Sequence, residues 1–326
     1  MNPQMRGQVG KTSLTIPALG LGGSELGGLR TDRIISEADA SATYQAAWDC
    51  DVRYFDTAPM YGGGLGERRL GQLLQGQPRD SFFISTKVGK YGWPGQQFNY
   101  CFDATFESID KSLERLGTSH LDLVFIHDID PYTHGPNDWK SRFEEAMSGA
   151  YPALCKLKSD GIIRAIGVGV NSCEVCIECL RAGDFDVFML AGKYTLLNQS
   201  AAHELLPSCE QNGVSIIAAA PFNSGILASG GHAKARYEEA PATSEVLRKV
   251  LKIEAICDEF GVSLGAAALQ LPIGHPSVAA VVPGPRSAEQ IRCVCRWFEE
   301  PIPPEFWTAL KQAQLLAEHV PTPVQH

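Results

Sequence analysis

The stretch Phe55-Asp56-Thr57-Ala58-Pro59-Met60-Tyr61 ends an apolar run with a carboxylate and a phenol, and four glycines follow within five residues, Gly62, Gly63, Gly64 and Gly66. A polar pair beside such glycines could cradle a phosphate, hold a metal or move a proton. Three later runs bear on the choice. Phe82–Val88 carries Lys87 at its end, Leu121–His127 ends on His127, and a fifth run leads to Asn171. Tyrosine, lysine, aspartate and histidine together suit proton transfer to or from a hydroxyl. A free phenol titrates near 10, too high for a base at neutral pH, but an adjacent ammonium stabilises the phenolate and lowers that value. Asp56 would then hold Lys87 charged and aimed, and His127 would orient or polarise the substrate oxygen.

Competing chemistries lack their parts. A glycosidase needs two carboxylates across the scissile bond, whereas Asp56 and Asp128 are the carboxylates at hand. A metal hydrolase needs several ligands together, and His127-Asp128 is one pair without a third. Hydride transfer fits best, and it requires a nicotinamide because no side chain carries a hydride. No metal is expected. Cys173-x-x-Cys176-x-x-Cys179 has the spacing of an iron–sulfur run, but its fourth position is Gly183, and at helical spacing the three sulfurs follow one apolar face.

The 326-residue chain is 44% hydrophobic and 20% charged, enough to bury a large core, and its formal net charge of −9 argues against a nucleic-acid footprint. A small-molecule partner is expected. No apolar run reaches the roughly 20 residues that span a bilayer, and the start lacks a secretory segment, so a cytoplasmic enzyme is expected.

Positioning these side chains takes about eight short β-branched or aromatic runs: Ala18–Gly22, Arg53–Thr57, Phe82–Val88, Leu121–His127, Ile162–Val168, Val187–Leu190, Val214–Ala219 and Ala279–Val282. Helical periods lie between them, at about 37–50, 67–75, 141–159, 173–182, 200–212, 245–260, 263–271 and 287–298. Phe106, Ile109, Leu113 and Leu116 form one further stripe, with Gly117 as its stop. Nearly all-apolar strands indicate a parallel sheet covered on both faces. The early glycines, Gly20, Gly22, Gly23, Gly27 and Gly28, lack the Gly-x-Gly-x-x-Gly spacing of an open dinucleotide-binding sheet. The expected fold is therefore α/β, a (β/α)8 barrel in a single domain over residues 1–326, with long loops such as Ser229–Thr243 at its C-terminal face.

These motifs resemble the aldo-keto reductases over nearly the whole chain. Asp56 to Glu67 matches that family's Asp-Thr-Ala-x-x-Tyr-Gly-x-Gly-x-Ser-Glu pattern with Gly66 in place of Ser, and Lys87 and His127 complete its four-residue catalytic set. The resemblance implies Tyr61 as general acid in reduction and, aided by Lys87, as base in oxidation. It also implies a nicotinamide cofactor. Asn171 would bond the carboxamide, with Val170 where the family has Ser. Pro221, Phe222, Asn223, Ser224, Gly225 and Leu227 would lie over the pyrophosphate, and Pro283, Gly284, Arg286 and Gln290 by the adenosine ribose. Ala219 and Ala191 stand where members carry a stacking aromatic and an amide-binding Gln, leaving Phe222 as the substitute ring. Gly284 and Gln290 replace two cations that pair with the 2′-phosphate of NADP, so NAD is expected, with NADP served only through Arg286.

Within the family, HDID, PYTHG, MLAGKYTLL and APFNSGIL are most similar to NAD-linked sugar dehydrogenases, with pyridoxal- and L-galactose-oxidising members near by the same motifs. The resemblance implies oxidation of the C1 hemiacetal hydroxyl of an aldose, of L-fucose, L-galactose or D-arabinose type, to the lactone. Alternatives are a pyridoxal 4-dehydrogenase, a general aldehyde or ketone reductase and, from another class, a nucleotide-sensing subunit. Tyr91, Trp93 and Tyr132, followed by His134 and Trp139, are the aromatics expected against the substrate.

Overall fold

The protein is described from a computed structural model over residues 1–2, 5–28, 34–92 and 95–324. Eight strands are built from the apolar runs: β1 Gly20–Gly22, β2 Tyr54–Asp56, β3 Phe83–Val88, β4 Leu121–His127, β5 Ile163–Val170, β6 Val187–Ala191, β7 Ser215–Ala219 and β8 Val278–Val282. Each pairs in parallel with its predecessor. The sheet closes on itself at β8 and β1 through the Leu19–Val281 bridge, where Val281 N–H donates to Ala18 O and Gly22 N–H to Pro283 O, both at 2.8 Å. The expected (β/α)8 barrel is the observed fold.

Alternation along the strands separates two cores. Tyr54, Phe83, Leu123, Phe125, Val187, Met189 and Ile217 fill the interior. Phe55, Ile84, Val124, Ile126, Phe188 and Ile216 face outward beneath the helices. Gly20 makes room for the interior Tyr54, because a Cβ there would lie 2.5 Å from the Tyr54 ring. At the N-terminal end, the hairpin Arg6–Gln8 with Thr15–Pro17 closes the barrel, and Val9, Leu14 and Ile16 from it join the interior core.

The stripe around Ile109 is helix Phe102–Leu116, ended by Gly117 at φ 66°. The expected helix over 141–159 is two helices, Pro131–Ser148 and Ala150–Ser159, broken at Gly149, where a Cβ would meet Tyr100 O at 2.4 Å. The first starts early because Asp130 accepts from Thr133 N–H at 3.0 Å and Pro131 suits the first turn; Gly135, at φ 77°, interrupts it. Tyr132, His134 and Trp139 therefore ride on a helix rather than a loop. The span 200–212 is likewise a short turn, Ser200–Ala202, followed by helix Leu205–Asn212, and Pro304–Gln312 is a further helix that periodicity missed. Cys176 and Cys179 are fully buried among the outer-core hydrophobes of helix Cys173–Ala182. No single helix among the described residues is long and apolar enough to cross a membrane.

Candidate active site

Strand register brings the polar ends together. Asp56, at the end of β2, pairs in register with Ser85 of β3, two residues before Lys87, and β3 is in turn paired with β4, which ends on His127. Lys87 Nζ donates to Asp56 Oδ2 at 2.7 Å, to Thr57 O at 2.9 Å and to Tyr61 OH at 3.1 Å. Ser85 Oγ donates to Asp56 Oδ1 at 2.7 Å and lies 3.0 Å from the buried Tyr54 OH. The His127 ring meets Tyr61 edge-on, with centroids 6.0 Å apart. All four expected side chains thus converge, and all are buried.

The glycines of the opening stretch shape this contact. Gly62, Gly63 and Gly64 have φ of 61°, 62° and 90°, a left-handed run that turns the chain sharply after Tyr61. Gly27 lets the turn close over the barrel, since a Cβ there would approach Tyr61 Cβ to 2.6 Å. Glu67, fully buried, then fastens the turn: it accepts from Thr86 Oγ1 at 2.7 Å and from Arg115 Nε at 2.6 Å, tying it to the residue beside Lys87.

Electrostatics differ from the expectation for Tyr61. Burial pushes its phenol up to about 12, with the Lys87 charge pulling down and Asp56 adding to the rise. Tyr61 is therefore a protonated donor at neutral pH, not a lowered base. Burial alone would lower the Lys87 ammonium, but Asp56 and Tyr61 together outweigh it and hold it above its ordinary value. Burial raises the Asp56 carboxyl, opposed by the charge and hydrogen bond of Lys87 and by Ser85. Burial, then the charges of Lys87 and Lys90, hold His127 well below the usual histidine range, so it is neutral at neutral pH.

The expected cofactor residues lie on the same rim. β7 and β8 are neighbours, so the loop through Pro221, Phe222, Asn223, Ser224, Gly225 and Leu227 adjoins the one through Pro283, Gly284, Arg286 and Gln290. Two features fit a dinucleotide: Asn223 Oδ1 is buried without a partner among the described residues, and Gly284 has no atom nearer than 3.8 Å to the Cβ it lacks. Arg286 forks onto Glu25, Nε to Oε2 at 3.0 Å and NH2 to Oε1 at 3.3 Å, while its N–H donates to Gln290 Oε1 at 2.8 Å. Asn171 Nδ2 reaches Asp130 Oδ2 at 3.2 Å and Asp128 Oδ1 at 3.3 Å. Phe222, the expected substitute ring, packs edge-on against Trp297 of the helix Ala288–Glu299, centroids 5.8 Å apart.

The substrate aromatics divide. Tyr132 is exposed on its helix, close enough to Glu239, Glu238 and Lys193 to feel their charges. Tyr91 is turned away from the rim; its hydroxyl accepts from Gly89 N–H at 3.0 Å and it lies beside the charges of Arg115 and Glu107. Trp139 is buried against Phe143 and covers the barrel instead of facing a ligand. Trp93 lies outside the described residues. Sequence reasoning named Asp128 and His134 but missed Lys90, Phe98 and Tyr100, which complete a cluster beside His127. Asp128 Oδ2 accepts from Lys90 Nζ at 2.7 Å and lies 3.6 Å from His127 Nε2, while Tyr100 OH donates to His127 O at 2.8 Å. Phe98 and His134, with ring centroids 4.4 Å apart, wall the cluster.

A barrel whose rim joins a buried lysine to an aspartate and a tyrosine, beside a neutral histidine, is the frame of one known class of oxidoreductase. The model of the aldo/keto reductase family matches residues 18–314, and the chain belongs to that family, whose members use nicotinamide cofactors on small-molecule substrates. Over 95% of its length it is 39% identical to a pyridoxal 4-dehydrogenase of Microbacterium luteolum, covering 97% of that protein. It is 37% identical to a D-threo-aldose 1-dehydrogenase of a Pseudomonas species, covering 95% of this chain and 96% of that one. A solved aldo-keto reductase of Bacillus halodurans, in its holo form, has the same fold with a TM-score of 0.77 at 22% identity, over 97% of this chain and 99% of that one.

Proposed function

We propose that residues 1–326 act as one domain, an NAD-linked dehydrogenase that oxidises the C1 hemiacetal hydroxyl of an aldose to the lactone. The observation that carries the reading is Lys87 Nζ held between Asp56 at 2.7 Å and Tyr61 OH at 3.1 Å, beside a neutral His127. In reduction Tyr61 OH gives its proton to the carbonyl oxygen, the direction its high pKa suits best; in oxidation the phenol first loses its proton, and the phenolate, paired with the Lys87 ammonium, takes the hydroxyl proton. His127 orients the reacting oxygen by a hydrogen bond that adds no charge. A bound nicotinamide, held by Asn171 and the loops at 221–227 and 283–290, supplies the hydride acceptor. The aldose-oxidising relative supports the substrate class. The pyridoxal-oxidising relative, of similar identity, supports pyridoxal as the second reading.

The test is a panel of L-fucose, L-galactose, D-arabinose and pyridoxal with NAD, followed as nicotinamide absorbance. Turnover of at least one sugar well above pyridoxal is expected. Turnover of pyridoxal alone would favour the second reading, and tight cofactor binding with no turnover would favour a sensing subunit.

NAD is favoured because the cation by the ribose is already neutralised: Arg286 is forked onto Glu25. Seating a 2′-phosphate beside Glu25 would break that fork and set two anions together. Glu25→Gln is therefore expected to tighten NADP binding by about tenfold while changing NAD little, read by titration of intrinsic fluorescence. An unchanged NADP-to-NAD ratio would remove Glu25 from cofactor choice.

A further inference from the structure

Resting on the reading of this rim as an alcohol or aldehyde redox site, we propose that Asp128 and Lys90 form a built subsite for a hydroxyl on the carbon next to the reacting one, and so select α-hydroxylated substrates. Asp128 follows His127 directly, with φ 53°, a left-handed conformation that side chains other than glycine seldom adopt. Three contacts hold it there. Its N–H donates to Gly169 O at 2.9 Å, and Tyr100 OH reaches His127 O at 2.8 Å and Asp128 O at 3.3 Å. The effect is to aim a carboxylate, 13% exposed, at the space beside His127 Nε2, with 3.6 Å between Oδ2 and Nε2.

A carboxylate has about four lone-pair directions and an ammonium three donors. Asp128 Oδ2 receives Lys90 at 2.7 Å, and Oδ1 has a long contact with Asn171 Nδ2 at 3.3 Å, so acceptor capacity remains. Asp128 is the hydrogen-bond partner described for Lys90, which leaves donor capacity on its ammonium. Once the reacting oxygen sits between Tyr61 OH and His127 Nε2, a neighbouring hydroxyl lies about a hydrogen-bond length from it, within reach of Asp128 as acceptor and Lys90 as donor. The pair also has no other task in the proton path, since Lys87 and Asp56 already supply it. A plain aldehyde would leave this buried charge pair facing an apolar carbon, which is the arrangement that discriminates most strongly against a substrate lacking the group.

The experiment uses two aldehydes that differ by one hydroxyl, lactaldehyde and propanal, reduced by the full chain with NADH. Wild type is expected to prefer lactaldehyde in kcat/KM by about tenfold or more, chiefly through KM. Asp128→Asn, which tolerates the left-handed backbone, should collapse that preference toward unity, with lactaldehyde losing far more than propanal. Lys90→Met, a second variant away from the strained turn, should lower the preference in the same sense. A preference that survives both changes, or losses equal for the two aldehydes, would overturn the subsite while leaving the redox reading intact. Reduction of neither aldehyde by wild type with NADH bound, shown by its fluorescence, would overturn the subsite, and, if no sugar and no pyridoxal is oxidised with NAD either, the redox reading as well.

Discussion

Replacing Tyr61 by Phe lowers turnover by about 10²-fold or more and leaves nicotinamide affinity nearly unchanged. The side chain keeps its place, because Gly27 and Gly66 lie against its Cβ and His127 meets its ring edge-on. Lys87 loses one acceptor but retains Asp56 and Thr57 O, so the ion pair survives. What disappears is the hydroxyl that exchanges the proton with substrate. Steady-state kinetics beside a fluorescence titration separate the two quantities, and undiminished kcat would sink the assignment of Tyr61.

Lys87→Met is expected to act on activity and stability together. It strands the Asp56 carboxylate, which is 4% exposed, without its cation. Leaving one half of a buried pair costs about 3–5 kcal/mol at neutral pH. The pH dependence gives the loss a signature. Burial already raises the Asp56 carboxyl in the folded protein, and removing Lys87 deletes the largest opposing influence, so its folded pKa moves further above the unfolded value near 4. A group with a raised folded pKa gives its full stability below the unfolded pKa and loses it as pH rises through the folded one. The gap between wild type and variant in urea unfolding should therefore be widest at neutral pH and narrow toward about pH 4. Lys87 itself, raised in the wild type, contributes below its ordinary ammonium pKa near 10.4 and loses that only on the alkaline side. A gap that widens on acidification would show that Asp56 is not the stranded group.

Much of this was legible in the residues. Barrel strands are apolar because both faces are covered, so a polar residue closing such a run marks the rim, and Asp56, Lys87 and His127 were found that way. Tyr61 was legible because only glycines could turn the chain back after it. Side chains beyond the strand ends were harder to place. Tyr91 and Lys90 are adjacent, yet Lys90 faces Asp128 and Tyr91 turns to a helix, a distinction set by the short pairing of Lys90–Tyr91 with Gln97–Phe98. Trp139 read as a loop aromatic because the helix from Pro131 contains Pro136 and Gly135, which break its periodicity. The Tyr61 phenol was expected to fall because the Lys87 charge was counted without burial, whose effect is the larger. Glu67 was noticed only as part of a pattern; its bonds to Thr86 and Arg115 join residues 19 and 48 positions away, a separation that no local signal reports.

The hairpin that stops the N-terminal end makes the barrel a blind shaft. From the mouth, the bonded groups run inward from Tyr61 through Lys87, Asp56 and Ser85 to Tyr54, where, among the described residues, they meet the packed interior below. Tyr61 is the end of this line nearest the mouth, where substrate comes in. A substrate seated over Tyr61 would cover the outer end of the line, so protons of the inner groups would exchange through the one residue that faces it.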